Sequence, residues 1–184
     1  MQKEIERKFL VNPKLLNIES RNITDIHYHN HAYLQSSQSY QIRIELHKTK
    51  SSPEEIGRIN IKGPKLGISR LEFEYEIPIN EARLIHSFCP YKISKIRYKI
   101  PYVHIDEDNN STCLLLWEID FYQDDNLGLV TAELEIPDDS MNIIIPSWIV
   151  KEITHDDRFY NKNLAIRPFK SWSLSEIKDC FSET

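Results

Sequence analysis

Period-two alternation of apolar and charged residues is what most limits the folds open to this chain. It runs through 27–36 (HYHNHAYLQS), 40–48 (YQIRIELHK), 57–63 (GRINIKG), 70–78 (RLEFEYEIP), 94–102 (SKIRYKIPY), 113–123 (CLLLWEIDFYQ) and 129–136 (LVTAELEI). The opening stretch MQKEIERKFLV adds an eighth case, with Glu4, Glu6 and Lys8 at every second place. Successive side chains of a strand point to opposite faces, so such alternation marks strands with two unlike faces.

The charged faces carry both signs. Arg70, Glu72, Glu74 and Glu76 oppose Leu71, Phe73, Tyr75 and Ile77, while Lys95, Arg97 and Lys99 oppose Ile96, Tyr98 and Ile100. Glu118 and Asp120 oppose Trp117, Ile119 and Phe121, and Glu133 and Glu135 oppose Ala132, Leu134 and Ile136. Arg43 and Lys62 take similar places on their own strands. Long antiparallel strands remove exposed edges by closing into a barrel, and eight strands leave room for one small ligand. The expectation is a strand-dominated α+β fold, one domain over residues 1–184: an eight-stranded closed antiparallel β-barrel, or tunnel, with helices packed outside and a C-terminal helix. Helices are expected from Pro13 to about Arg21, after Asn80 as N-cap, from Ser147 through SWIVKEIT, and after Ser173, which has capping-box spacing to Glu176.

Composition narrows the function. The chain has 184 residues, 40% hydrophobic and 28% charged, which suits one soluble domain with a substantial core. A formal net charge of −5 argues against a nucleic-acid partner. No apolar run approaches the ~20 residues of a membrane span, and the N-terminus lacks a signal-peptide core. Cys89, Cys113 and Cys180 are widely spaced, with no CxxC pair, as expected of free thiols in the cytoplasm. A homodimer is compatible with the chain, which does not specify its oligomeric state.

If the charged faces point inward, the lumen is lined by cations and carboxylates. Converging basic side chains suit a compact polyanion such as a triphosphate, because charge-assisted hydrogen bonds are the strong ones. Carboxylates beside a polyanion call for a bridging cation, and Mg²⁺ or Mn²⁺ prefers hard oxygen donors. Two carboxylates in Glu–x–Glu stand roughly 7 Å apart along a strand face, a spacing for a cation flanked by two strands.

EIERKFLV resembles the ExExK signature of the CYTH domain family, the triphosphate tunnel metalloenzymes. HAYLQ, INIKGP, SRLEFEYEIP, KIRY, WEIDF, GLVTAELEI and EITHDDRFYNKNLA resemble later segments of that family in order, so the resemblance runs from about residue 2 to 166. It implies an eight-stranded antiparallel tunnel and metal-dependent hydrolysis of a triphosphate, as in the bacterial short-chain inorganic triphosphatases. By the same resemblance, Glu4, Glu6, Glu133 and Glu135 are the metal ligands, for Mg²⁺ or Mn²⁺ and two ions. Lys8 and Tyr33 pair as the proposed general base, and Arg43, Lys62, Lys95 and Arg97 hold the phosphates. Gln41 and Glu45 flank Arg43 where the family often has more basic residues, His31 replaces a common glutamine, and His155 a common glycine.

Simpler readings exist for several of these residues. Glu4, Glu6 and Lys8 could form a cross-strand ion ladder, and Tyr33 could only pack. His27, His29 and His31 alternate on one face and are zinc-type ligands. With no Cys or further His in a ligand pattern nearby, the sequence reads them as lining or solvated residues. Trp117 falls on the outward parity, and Trp148 and Trp172 are read as core residues in helical segments. Alternative functions are a thiamine triphosphatase, a class IV adenylate cyclase, or a non-catalytic polyphosphate-binding module.

Overall fold

The computed structural model describes residues 5–34, 40–66, 69–106, 111–138 and 141–181. Among these residues nine strands form one antiparallel sheet: β1 (Ile5–Val11), β2 (Asp25–Tyr33), β3 (Gln41–Thr49), β4 (Ile56–Leu66), β5 (Ser69–Ile77), β6 (Tyr91–Asp106), β7 (Ser111–Tyr122), β8 (Val130–Ile136) and β9 (Ile149–Glu152). Their order is β5-β4-β3-β2-β6-β7-β8-β1-β9. Four helices accompany them: α1 (Pro13–Leu16), α2 (Ile79–Phe88), α3 (Asn161–Ile166) and α4 (Leu174–Phe181).

The ninth strand corrects the expected helix in SWIVKEIT. Ile149 and Val150 are β-branched, and β1 offers an unpaired edge, so the segment pairs as Phe9↔Glu152, Leu10↔Lys151 and Val11↔Ile149. Lys8 extends the contact through its own carbonyl, which accepts from Ile153 N at 2.7 Å. Among the described residues no ladder joins β5 to β9, so the sheet has two edges where an eight-stranded closed ring was expected. It is nevertheless strongly curled. From β4 to β1 the order takes six steps, roughly 29 Å if flat at ~4.8 Å each. Yet Lys62 of β4 and Lys8 of β1 line the same cleft, so the sheet bends into a trough with its charged face inside.

Local sequence explains the other departures. The helix expected over 13–21 stops after one turn because Asn17 takes the left-handed conformation, φ 43°, and the chain continues as a 3-10 turn at Ile18–Ser20. Its start is capped as the residues suggest, with Asn12 Oδ1 accepting from Lys14 N at 3.1 Å and Pro13 in the first turn. Helix α2 begins one residue before Asn80, at Ile79, and Pro78 takes the cap position with its carbonyl accepting from Ala82 N at 2.9 Å. Pro101 is tolerated inside β6 because β2 pairing has already ended at Asp25↔Lys99.

Three apolar clusters brace the trough. Outside, Phe9, Trp117 and Leu134 pack with Leu16 and Trp148, so Trp117 does point outward. Also outside, α2 lies on β3 and β4 through Ala82, Ile44 and Leu46. There Gly57 admits close approach, since a Cβ at that position would stand 2.3 Å from the Ala82 Cβ. At one end of the inner face, Leu10, Tyr33, Ile93 and Tyr122 meet Phe159, Leu164 and Trp172 from the C-terminal segment and form the floor. Trp148 and Trp172 are buried, but both lie in non-helical connections. The Ser173–Glu176 capping box is present: Glu176 Oε2 accepts from Ser173 N at 2.8 Å, and Ser173 Oγ accepts from Glu176 N at 3.2 Å.

Candidate active site

Register places the charged side chains in rungs across the trough. Antiparallel pairing sets Lys8 opposite Glu133 and Glu6 opposite Glu135, then Glu118 opposite Glu133, and Arg97 opposite Asp120. Strand parity turns each of these inward, so neighbouring strands deliver carboxylate beside cation. Lys8 Nζ donates to Glu133 Oε1 at 2.8 Å. Asp120, wholly buried, accepts from Lys95 Nζ at 2.6 Å and from Arg97 Nε at 2.6 Å and Nη2 at 2.7 Å. The Arg97 guanidinium also donates to Glu118 and Glu133, which makes it the hub of the network.

These neighbours set the protonation states. Burial works against charge on Lys8, but Glu133, Tyr122 and Asp120 together outweigh it and hold the ammonium above the ordinary lysine range. Burial likewise opposes ionisation of Glu133, yet Lys8, Arg97 and Lys95 bring its pKa down to about 2. Asp120 is held well below the usual carboxylate range against its own burial, chiefly by Arg97 and Lys95. Glu6 behaves oppositely: loss of hydration in the cleft, and then the nearby Glu133 carboxylate, raise it to about 7, although the residue keeps contact with solvent.

The facing wall comes from β2, β3 and β4. His29 Nδ1 and His31 Nε2 converge on Glu45 Oε1, at 2.7 and 3.0 Å. Burial leaves both histidines neutral, with pKa values near 4 and 3. Arg43 and Lys62 complete the lining, with Thr154, Tyr160 and Asn161 from beyond β9. The enclosed space is about 500 Å³. It continues into a second space of about 470 Å³ that shares Glu6 and Glu133 and adds Lys99, Glu118 and Glu135 at its mouth.

Of the residues singled out from the sequence, Glu6, Lys8, Arg43, Lys62, Lys95, Arg97 and Glu133 meet in the one cleft. Glu135 is exposed and stands at the mouth. Glu4 lies outside the described residues. Tyr33 is only 2% exposed, in the apolar floor. Burial raises its hydroxyl to about 12, against the pull of the Arg43 cation that stands opposite it on the β2–β3 ladder. Lys8 thus has Glu133 as its hydrogen-bond partner, while Tyr33 stands opposite Arg43 on the β2–β3 ladder.

Sequence reasoning put Asp120, Glu118 and Glu45 on charged faces without assigning them to the site. Their parity was the available signal. Thr154, Tyr160 and Asn161 lie outside periodic segments and gave none. The donor set fits a hard divalent cation: Glu6, Glu133 and Glu135 are carboxylates on two adjacent strands.

Comparison with known proteins bears on the family and the fold. A model of the CYTH domain matches residues 2–162. An inorganic triphosphatase of Acetivibrio thermocellus is 33% identical over 174 residues, covering 94% of this chain and 99% of that protein. The crystal structure of the inorganic triphosphatase NE1496 shares the fold with a TM-score of 0.61 at 22% identity, over 90% of this chain and 96% of that one. The PH1819 protein from Pyrococcus horikoshii OT3 does so with a TM-score of 0.51 at 17% identity, over 78% and 80% of the two chains. At these identities the two structures bear on the fold alone.

Proposed function

This chain belongs to the CYTH domain family, and from that premise we propose that it hydrolyses a triphosphate, with inorganic tripolyphosphate cleaved to pyrophosphate and phosphate. The observation that carries the reading is the meeting of five cations, Lys8, Arg43, Lys62, Lys95 and Arg97, with the Glu6 and Glu133 carboxylates in one cleft. A polyanion accompanied by a divalent cation substitutes into such a site charge for charge. The phosphate oxygens take the place of carboxylates on the basic side chains, and the cation takes the place of basic groups on the carboxylates.

In this reading Arg43, Lys62, Lys95 and Arg97 grip the phosphate oxygens, and Asp120 fixes Lys95 and Arg97 from behind. Lys8 serves the reaction as a protonated group beside Glu133. Tyr33, opposite Arg43 on the β2–β3 ladder, supports that cation from the floor. Water attacks the terminal phosphorus, a new P–O bond forms as the bridging P–O bond breaks, and pyrophosphate leaves with the electron pair. Glu6, Glu133 and Glu135, with Glu4 by its place in the sequence motif, are the ligands we assign to Mg²⁺ or Mn²⁺, two ions in number. When bound, these ions would neutralise phosphate charge as Lewis acids. The curled sheet would then work as a tunnel around its substrate, and three free thiols suit a cytoplasmic setting.

Phosphate release from tripolyphosphate, ATP, thiamine triphosphate and pyrophosphate, each with Mg²⁺, Mn²⁺ or Ca²⁺, tests the proposal. Tripolyphosphate should be cleaved fastest, and excess chelator or Glu133→Gln should remove the activity. Turnover undiminished in chelator, or no cleavage of any triphosphate, would refute it.

A further inference from the structure

Beside the carboxylate–cation rungs lies a second group of ligand-type side chains with a different chemistry. Pairing of β2 with β3 puts His29 directly opposite His47, with His27 one inward-facing position along. The three rings stack, with centroids 4.7 Å apart for His29–His47, 5.2 Å for His27–His47 and 5.8 Å for His27–His29. One ring nitrogen from each lies within 4.8 Å of the other two. His27 Nδ1 and His47 Nε2 are only 3.0 Å apart. Two imidazole nitrogens on one tetrahedral ion, each at about 2.0–2.1 Å, are separated by roughly 3.3 Å.

The surroundings are those of ligating histidines. Such residues usually give their second ring nitrogen to a carboxylate, which fixes the tautomer and leaves the other lone pair for the metal. His29 Nδ1 is held by Glu45 at 2.7 Å, and His29 Nε2 is buried with no hydrogen-bond partner among the described residues. His27 Nε2 lies 3.4 Å from Asp25 Oδ2, which leaves Nδ1 toward His47.

We infer that His27, His29 and His47 form a binding site for one borderline transition-metal ion, Zn²⁺ being the type case, distinct from the carboxylate site. Imidazole nitrogen suits such ions, whereas Mg²⁺ prefers oxygen. Glu45 and Asp25 orient the ligands and balance the charge. His29 also lines the cleft, so the site adjoins it. His31, whose Nε2 is bound to Glu45 at 3.0 Å, is outside the ligand set. The inference stands independently of the proposed hydrolysis.

Zn²⁺ titration of the full chain in excess Mg²⁺, by calorimetry and by competition with a zinc indicator, tests it. The expected result is one Zn²⁺ per chain, with affinity weakened by at least about tenfold in His27→Gln and in His47→Gln, and changed less than about twofold in His31→Gln and Glu133→Gln. Co²⁺ should give the intense visible absorption of a four-coordinate ion in the wild type, and this reading does not depend on any variant folding. Absence of stoichiometric Zn²⁺ binding, a six-coordinate Co²⁺ spectrum, or wild-type affinity in folded His47→Gln overturns the site. So does loss of binding in His31→Gln equal to that in His47→Gln, or loss in Glu133→Gln, which would put the ion on a different set of ligands.

Discussion

The ammonium of Lys8 and the carboxylate of Glu133 face each other at 2.8 Å with both residues buried, 5% and 7% exposed. Each stabilises the charged form of the other, so Lys8 is a cation throughout the neutral range. Lys8→Ala should lower turnover on the order of 100-fold, whereas Lys8→Arg, which keeps a cation beside Glu133, should stay at least tenfold above it. Steady-state kinetics of the two variants decide the matter. Equal loss in both, with the fold intact, would point to Lys8 as a proton acceptor.

Asp120 is the buried anchor of the basic row. Asp120→Ala leaves Lys95 and Arg97 without their shared partner in a site closed to water, and such a break costs about 3–5 kcal/mol. Urea unfolding should show a loss of that size. A change under about 1 kcal/mol would mean that the two cations find other partners and that Asp120 does not organise them.

Tyr33 lies below the cleft, opposite Arg43 on the β2–β3 ladder. Tyr33→Phe should therefore raise KM for tripolyphosphate more than it lowers kcat, and Arg43→Ala should do the same more strongly, by about 10-fold or more, the scale of one lost charge-assisted hydrogen bond. A Tyr33→Phe effect confined to kcat would instead place the hydroxyl at the reacting atoms.

The contact between Gly57 and Ala82 is a steric limit on how α2 seats on the sheet. Gly57→Ala should destabilise by about 1–3 kcal/mol through overpacking, and adding Ala82→Gly should recover part of that loss despite its helix-propensity cost of about 1 kcal/mol. Thermal unfolding of the single and double variants gives the coupling. Strict additivity would show that the two residues do not meet.

Glu176 links its capping box to pH. The Ser173 backbone N–H, then Arg167, hold its pKa at about 2, below the ordinary 4.5. A depressed carboxyl stabilises the fold fully above its unfolded value and progressively less as pH falls through 4.5 toward 2. Glu176→Gln should thus lower the melting temperature at pH 7, and the difference should narrow between pH 4.5 and pH 3. A gap that stays constant over that range would remove the ionic contribution.

What the sequence determined by itself is the side on which each strand residue stands. Alternation has a strict period of two, so Glu6 and Lys8, Lys95 and Arg97, and Glu133 had to share a face wherever their strands came to lie, and the cation–carboxylate character of the cleft followed. Local chemistry was equally legible in the Ser173–Glu176 box, where donor and acceptor are three residues apart. Partnership across strands was not, because it depends on strand order and register, which are settled by long-range packing. Only the tertiary structure brought β3 beside β2, so that His47 met His29, although the sequence showed no further histidine in a ligand pattern. The same ordering gave Lys8 to Glu133 and Tyr33 to Arg43. It also turned Ile149–Glu152 into a strand: the segment's own pattern was compatible with a helix, and the open hydrogen-bonding edge of β1, some 140 residues earlier in the chain, decided the outcome.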